Sequence, residues 1–365
     1  MKFILLSIFS VLFFTTAFAQ NNYTISGTVT NEVTGLPMPA TSVFAQNTTL
    51  GTVTDNEGNF KLTLPNGGYD LIISFTGYKA ETRRITSSDV NEKIILKLKE
   101  KEKELETVAV VSSSEVKDGL TKYGQFFMNE FIGKSANSKQ CSIQNPEVLH
   151  FFFSKKKNRL KITATESLII KNNALGYNIK YDLDSFTHEY KTEVSTYSGY
   201  PLFENMQGDS AQTQQWQTSR RNAYKGSILH FMRSVYHKNI TEQEFEIQFI
   251  VKVYDKDEGL KVKDIYAAIN YAKDDSTQTV EILPNQPEVG ILFLGAKPST
   301  NYLAENPAES KDFKLSVLSF KPKESIIIEQ NGYFYDQNDV TTSGYWAWDK
   351  VAEMLPYDYE AGITY

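Results

Sequence analysis

The chain has 365 residues, with 38 Lys and Arg against 44 Asp and Glu and a formal net charge of −6 at pH 7. That balance excludes nucleic acid as a general partner, because neutralising phosphates takes an excess of cations. A single cysteine, Cys141, excludes an intramolecular disulfide, and an exported chain without disulfides fits a bacterial envelope better than a small stapled scaffold.

Lys2, the apolar run Phe3 to Phe14 and the small-x-small site Ala17-Phe18-Ala19 read as a secretory signal peptide over residues 1–19, with Gln20 as the mature N-terminus. The run is short for a bilayer span, which needs roughly 20 residues. No later stretch is long and apolar enough to span, so no transmembrane segment is expected in the mature chain.

Residues 20–98 alternate polar and apolar positions between Gly- and Pro-containing turns. Ile25, Gly27 and Val29 share one side of a first strand, and Tyr69, Leu71, Ile73 and Phe75 share one side of a later one. At the centre, Val53-Thr54 leads into Asp55-Asn-Glu-Gly58, and Phe60, Leu62 and Leu64 lead out, a pattern that predicts a hairpin. Ile94, Leu96 and Leu98 close the series, which reads as a β-sandwich of six or seven short strands.

The order Ser26-Gly-Thr-Val29, Gly35-Leu-Pro37, Thr52-Val-Thr-Asp-Asn-Glu-Gly-Asn-Phe60 and Gly77-Tyr78 resembles the carboxypeptidase-like regulatory domain, the transthyretin-like sandwich of Bacteroidota envelope proteins. That resemblance implies a seven-stranded, non-catalytic module, and its matching residues have structural roles: Gly58 for a left-handed turn, Phe60 for the core, Gly77 for a strand end. In outer-membrane transporters such a module precedes a plug and barrel, and Leu105-Glu-Thr-Val108 is similar to the joining segment. The residues that follow are too few for a plug and a 22-stranded barrel, whose strands need roughly 10 residues each.

Residues 99–118, charged and then serine-containing, read as a linker. Residues 119–365 read as a larger α+β domain, so the whole chain is expected to be mainly β. Within that domain, Leu120, Tyr123, Phe127 and Phe131 predict a helix over 119–133, and 148–170 a hairpin with a polar tip at 154–159. Strands are expected over 177–183, 186–195 and 245–254, and a second helix over 211–237. The set Phe131-Ile-Gly133, Asn145-Pro146, Asn173-x-Leu-Gly-Tyr177, His230-Phe-x-Arg233 and Gly344-Tyr-Trp346 resembles the C-terminal region that often accompanies this module in Bacteroidota proteins. It implies a domain boundary and no mechanism.

Motifs for chemistry are missing. None of His150, His188, His230 and His237 has Glu three residues on, and His188-Glu189 lacks the second histidine of a zinc helix. Cys141 has no nucleophile signature around it, and Ser154-Lys-Lys-Lys157 lacks the companion motifs of a Ser-x-x-Lys enzyme. Asp55-Asn-Glu-Gly58 and Asp255-Lys-Asp-Glu-Gly259 lack the ligand set of a calcium loop and read as turns. No metal, cofactor or catalytic residue is assigned.

The 21 Tyr, 23 Phe and 3 Trp admit a binding role, since aromatic faces stack on sugars and anchor interfaces. Tyr345, Trp346 and Trp348 are the best cluster, with sealing of the C-terminal segment onto the second domain's core as the favoured reading of it, and Trp216 is taken with them. The expectation is an exported non-enzymatic protein, periplasmic or outer-membrane associated, with the cell surface as the alternative. Its partner would be an envelope protein or a glycan. The competing reading is a hydrolase whose site gathers carboxylates around Arg220-Arg221 and His230.

Overall fold

The structure, a computed structural model, describes residues 22–101, 115–335 and 337–362. The signal-peptide reading of 1–19 and the central part of the 99–118 linker lie outside the described residues.

Seven strands build the N-terminal sandwich: β1 (Asn22–Asn31), β2 (Ser42–Ala45), β3 (Gly51–Val53), β4 (Asn59–Pro65), β5 (Tyr69–Ser74), β6 (Glu81–Ile85) and β7 (Lys93–Leu98). One sheet has the order β4-β1-β7 and the other β3-β2-β5-β6. β1 pairs antiparallel with β4 and parallel with β7, and its alternate residues Ile25 and Val29 are fully buried. Gly27 sits where a Cβ would meet the Phe60 ring at 2.5 Å and the Ile94 carbonyl at 2.4 Å, so only glycine lets the two flanking strands close on β1.

The central stretch is not a hairpin. β3 pairs with β2 and β4 pairs with β1, so the turn between them carries the chain from one sheet to the other. The local chemistry read correctly as a turn: Asp55 Oδ1 accepts from the amides of Glu57 (3.0 Å) and Asn59 (2.7 Å), and Gly58 takes φ +75°. Partner choice is non-local, and Val29 N–H donating to the Gly58 carbonyl at 2.8 Å fixes the turn over β1.

The second part opens with α1 (Gly119–Phe127), extended by a π-turn (Met128–Ile132) that Gly133 ends at φ +112°. A six-stranded sheet follows: β8 (Cys141–Ile143), β9 (Leu149–Ser154), β10 (Arg159–Ala164), β11 (Leu168–Asn172), β12 (Tyr177–Glu189) and β13 (Val194–Asn205). The β9–β10 hairpin pairs Ser154 with Arg159, as its polar tip implied. The strands expected at 177–183 and 186–195 join in one 13-residue strand, β12, continuous through a bulge between Leu183 and Ser185, but it ends at Glu189: residues 190–193 turn and Val194 begins β13. α1 packs Phe127 on Phe131 and Phe186, with ring centroids 4.9 and 5.2 Å apart.

The single helix expected over 211–237 is two, α2 (Ser210–Tyr224) and α3 (Ile228–Tyr236). Gly226 breaks it at φ +79°, where a Cβ would meet the Phe293 ring at 2.5 Å, and Ser227 caps α3 by accepting from the His230 amide.

The remaining elements are β14 (Phe245–Val253), β15 (Lys256–Lys261), α4 (Ile265–Ala268), β16 (Ala272–Asp274), β17 (Thr279–Ile282), β18 (Glu288–Phe293), α5 (Thr300–Glu305), β19 (Lys314–Phe320), β20 (Ile326–Ile328), β21 (Val340–Gly344) and α6 (Tyr345–Trp348). They form a five-stranded sheet, β15-β14-β18-β19-β21, and a small one, β16-β17-β20. α3 lies between the two cores of this region. Its Leu229 belongs to the core under the six-stranded sheet, while Phe231, Met232, Val235 and Tyr236 belong to the core under the five-stranded one. Among the described residues no helix is long and apolar enough to cross a membrane.

Candidate binding site

The groups that a hydrolytic site would use are committed to internal bonds. His230 is buried among Tyr224, Phe245 and Phe293; its Nδ1 accepts from the Gly226 amide at 3.2 Å and its Nε2 pairs with Gln243 Oε1 at 3.0 Å. That arrangement fixes the neutral Nε2–H tautomer, and burial pushes the imidazole down to about 4. Arg233 spends its guanidinium on three backbone carbonyls, those of Asn331 (2.9 Å), Tyr359 (2.8 Å) and Tyr357 (3.0 Å). Arg220 donates to the carbonyls of Leu175 and Gly176 and lies over the Tyr177 ring at 3.8 Å. Burial, with Glu353 adding to it, pushes the Cys141 thiol up to about 12, which keeps it un-ionised and inert. Among the described residues no group of three or more His, Cys, Asp or Glu could hold a metal ion.

The four aromatic candidates do not share one surface. Trp216 is buried against Gly176 and Gly208, and its indole N–H donates to the Asn173 carbonyl at 2.9 Å. Trp346 is buried in the core beside Phe231, and its indole N–H donates to the Gly226 carbonyl at 2.8 Å. Tyr345 is buried, with Lys314 Nζ over its ring at 4.5 Å. These residues sit on a helical turn, α6, which is why Trp346 and Trp348 diverge.

Trp348 faces elsewhere. It is half-buried and lines an open cavity of about 400 Å³ between the π-turn after α1, α5 and α6. Tyr302 of α5 backs it in a T-shaped contact, with ring centroids 5.6 Å apart. Asn129, Glu130, Lys134, Glu305, Asn306 and Glu309 supply polar walls. Lys134 is paired with Glu305 at 2.8 Å, and Gln125 Nε2 donates to Asn129 Oδ1 at 2.9 Å. Burial, with Glu309 next, pushes the Tyr302 phenol up to about 12, so it stays an O–H. Gly133 and Gly344 also line the cavity and leave room at its base. Aside from Trp348, and Gly133 and Gly344 within the second resemblance, none of these residues is singled out in the sequence. The Ser299 cap of α5 was readable locally, but nothing local brings 129–134, 302–309 and 344–350 together.

Residues 25–110 match the family model described as CarboxypepD_reg-like domain. The N-terminal sandwich is a carboxypeptidase-regulatory-like domain. Two curated relatives match over part of the chain. A TonB-dependent receptor P39 of Formosa agariphila is 35% identical over 117 residues, and a TonB-dependent receptor SusC of Bacteroides thetaiotaomicron is 31% identical over 116. Each match takes in 32% of this chain, and the chain spans only 11% of either receptor's length. A crystal structure of a DUF3823 family protein from Bacteroides ovatus aligns over 52% of this chain and 83% of that one. Its identity is 11% and its TM-score 0.17, too low to carry a fold comparison.

Among the described residues, backbone bonds tie the regulatory-like domain to β13 (the Asn47 amide to the Pro201 carbonyl and the Phe203 amide to the Thr48 carbonyl, both 2.9 Å), and three further contacts fix it to the rest of the chain. Arg84 of β6 donates to Glu329 Oε1 at 2.6 Å and to Asp70 Oδ1 at 3.3 Å, bonds the Tyr335 hydroxyl, and lies over the Tyr335 ring at 4.0 Å. Tyr333 bonds Asp70, and burial followed by these carboxylate bonds raises both phenols. Gly68 is required here, because a Cβ would fall 2.2 Å from Arg84 Nη2. Second, Thr49 donates its amide to Asp358 at 2.9 Å, while the Tyr357 amide donates to the Asn47 carbonyl at 2.7 Å. Third, Phe44, Ile72 and Leu202 form a small shared apolar cluster.

Proposed function

We propose that this chain is an exported, non-enzymatic envelope protein in which the regulatory-like domain is a fixed part of a larger binding body. The C-terminal region carries the ligand or partner site. The observation that supports it best is the contrast between committed and open groups. His230 and Arg233 are buried and spent on internal bonds, whereas Trp348 and a polar rim border an open cavity. The export part of the reading rests on the signal-like N-terminus and on the likeness of residues 25–110 to a module present in TonB-dependent receptors.

The test is fractionation of a Bacteroidota host expressing the full chain, alongside a version lacking residues 1–19. Export predicts a processed full-length product in the periplasmic or outer-membrane fraction and cytoplasmic retention of the shortened form. An unprocessed product left in the cytoplasm would remove the reading. Retention of the purified full chain on isolated insoluble envelope material tests the binding part, and a chain that washes through at low salt would count against it.

A further inference from the structure

The geometry points to the cavity between the π-turn after α1, α5 and α6 as a saccharide subsite for an uncharged hexose unit, with Trp348 as the stacking platform and Asn129, Asn306, Glu305 and Glu309 as its hydrogen-bonding rim. This inference rests on the binding-protein reading above and names its ligand class.

Three observations carry it. First, Trp348 differs from the other two tryptophans. Trp216 and Trp346 are buried and each donates an indole N–H to a backbone carbonyl. The Trp348 indole N–H has no hydrogen-bond partner among the described residues, although the atom is buried. An unpaired buried donor is unfavourable. A residue chosen for packing alone would not need that nitrogen, and a half-exposed indole at the mouth of a polar cavity fits a ring-stacking role instead.

Second, the rim has the right chemistry. Sugar hydroxyls both donate and accept, so they are matched by carboxylates that accept and side-chain amides that do both. Lys134 is occupied by Glu305, and Lys350 lies toward the Tyr197 ring at 5.9 Å. With three carboxylates, Glu130, Glu305 and Glu309, against those two lysines, the cavity does not favour an anionic ligand.

Third, the size and build are suitable. A volume of about 400 Å³ lies within the roughly 300–1,000 Å³ of small-molecule sites. The walls are tied together independently of ligand: Asn301 Nδ2 reaches the Lys134 carbonyl at 3.5 Å, and the Tyr302 ring meets Trp348 edge-on and Tyr345 at a tilt.

The experiment is a titration of the purified mature chain with cellohexaose, mannohexaose and N-acetylchitohexaose in turn, followed by tryptophan fluorescence and saturation-transfer NMR. Because Trp216 and Trp346 are buried and bonded, a fluorescence change reports on Trp348. At least one of the three is expected to give a saturable change. Trp348→Ala should weaken that binding about tenfold, the loss of one aromatic stacking contact, Trp348→Phe should retain most of it, and Glu309→Gln should weaken it less than Trp348→Ala. Circular dichroism of each variant controls for folding.

No saturable response to any of the three sugars overturns the inference, as does a folded Trp348→Ala variant with unchanged affinity. The two readings fail separately. Wild-type retention on envelope material with no sugar response removes the saccharide subsite and leaves the binding reading in place, whereas loss of both removes both.

Discussion

Replacing Arg84 by Ala strips Glu329 of its cation while leaving the carboxylate in place. The Glu329 side chain is 6% exposed and that of Arg84 26%, so the pair is shielded from solvent on one side and partly open on the other. Breaking a buried pair costs about 3–5 kcal/mol, because a buried charge is left uncompensated. The partial exposure of Arg84 places the expected loss near the lower end, at roughly 3 kcal/mol. The Tyr335 hydroxyl, which donates to Glu329 at 2.6 Å, supports the carboxylate but carries no charge. The double replacement Arg84→Met with Glu329→Leu removes both charges and fills similar volume, so it should recover more than half of the loss. Urea denaturation followed by far-UV circular dichroism on the wild type, Arg84→Met, Glu329→Leu and the pair gives the coupling directly. Additive single effects, each below about 0.5 kcal/mol, would mean that water screens the cluster. The claim that this site fixes the regulatory-like domain would then be wrong.

Two further predictions concern pH. His230 has a folded value of about 4 against an ordinary 6.5, so the unfolded chain takes up its proton first. Its contribution is whole above pH 6.5 and is lost as pH falls towards 4, by about 3 kcal/mol at 1.36 kcal/mol per pH unit. His230→Gln should flatten this acid limb in a melting-temperature profile, and an unchanged limb would refute the buried neutral imidazole. Asp349 runs the other way: burial first, and Glu353 second, push its carboxyl up to about 8 against the opposing Lys314. The folded chain then holds a proton the unfolded chain has lost, so stability declines as pH rises from the ordinary carboxylate range through 8. Asp349→Asn should stabilise the protein by a few kcal/mol near neutral pH and leave it unchanged in acid, and equal shifts at both pH values would refute the assignment.

How much of this was legible depends on whether the information is local. The sandwich was, because alternation at Ile25, Val29, Leu71 and Ile73 and the Asp55-Gly58 turn are properties of short windows. The pairing of β3 with β2 and β4 with β1 was not, since both sides of the turn look like hairpin arms until their partners are known. The break between α2 and α3 had a local signal in Gly226-Ser227 that the apolar periodicity of Ala223, Ile228 and Phe231 masked. The aromatic candidates show the harder limit. Residue type says that Trp216, Trp346 and Trp348 can stack on a ligand, but only tertiary placement separates the two that are sealed in the core from the one beside a cavity.

The C-terminal tail explains why the regulatory-like domain and the central helix behave as one structure. The carbonyls of Tyr357 and Tyr359 turn toward Arg233 on α3, and the intervening Asp358 side chain turns the other way, onto Thr49 of the sandwich. The Tyr357 amide adds a bond to the Asn47 carbonyl. One short β-turn, closed by the Tyr359 amide donating to the Pro356 carbonyl at 3.0 Å, therefore joins α3 on one side to the β2–β3 turn on the other. Arg233 also holds the Asn331 carbonyl, two residues from the Tyr333 that bonds Asp70, so its loss would loosen both the tail at Thr49 and the Arg84 cluster without touching any sandwich residue. The fold of the regulatory-like domain depends on its inward alternation, whereas its attachment depends on Asn47, Thr49, Gly68, Asp70 and Arg84, which lie in its turns and on its outer faces. Core and attachment are thus separate sets of residues, and in this chain the attachment groups join the module to the region that carries the Trp348 cavity.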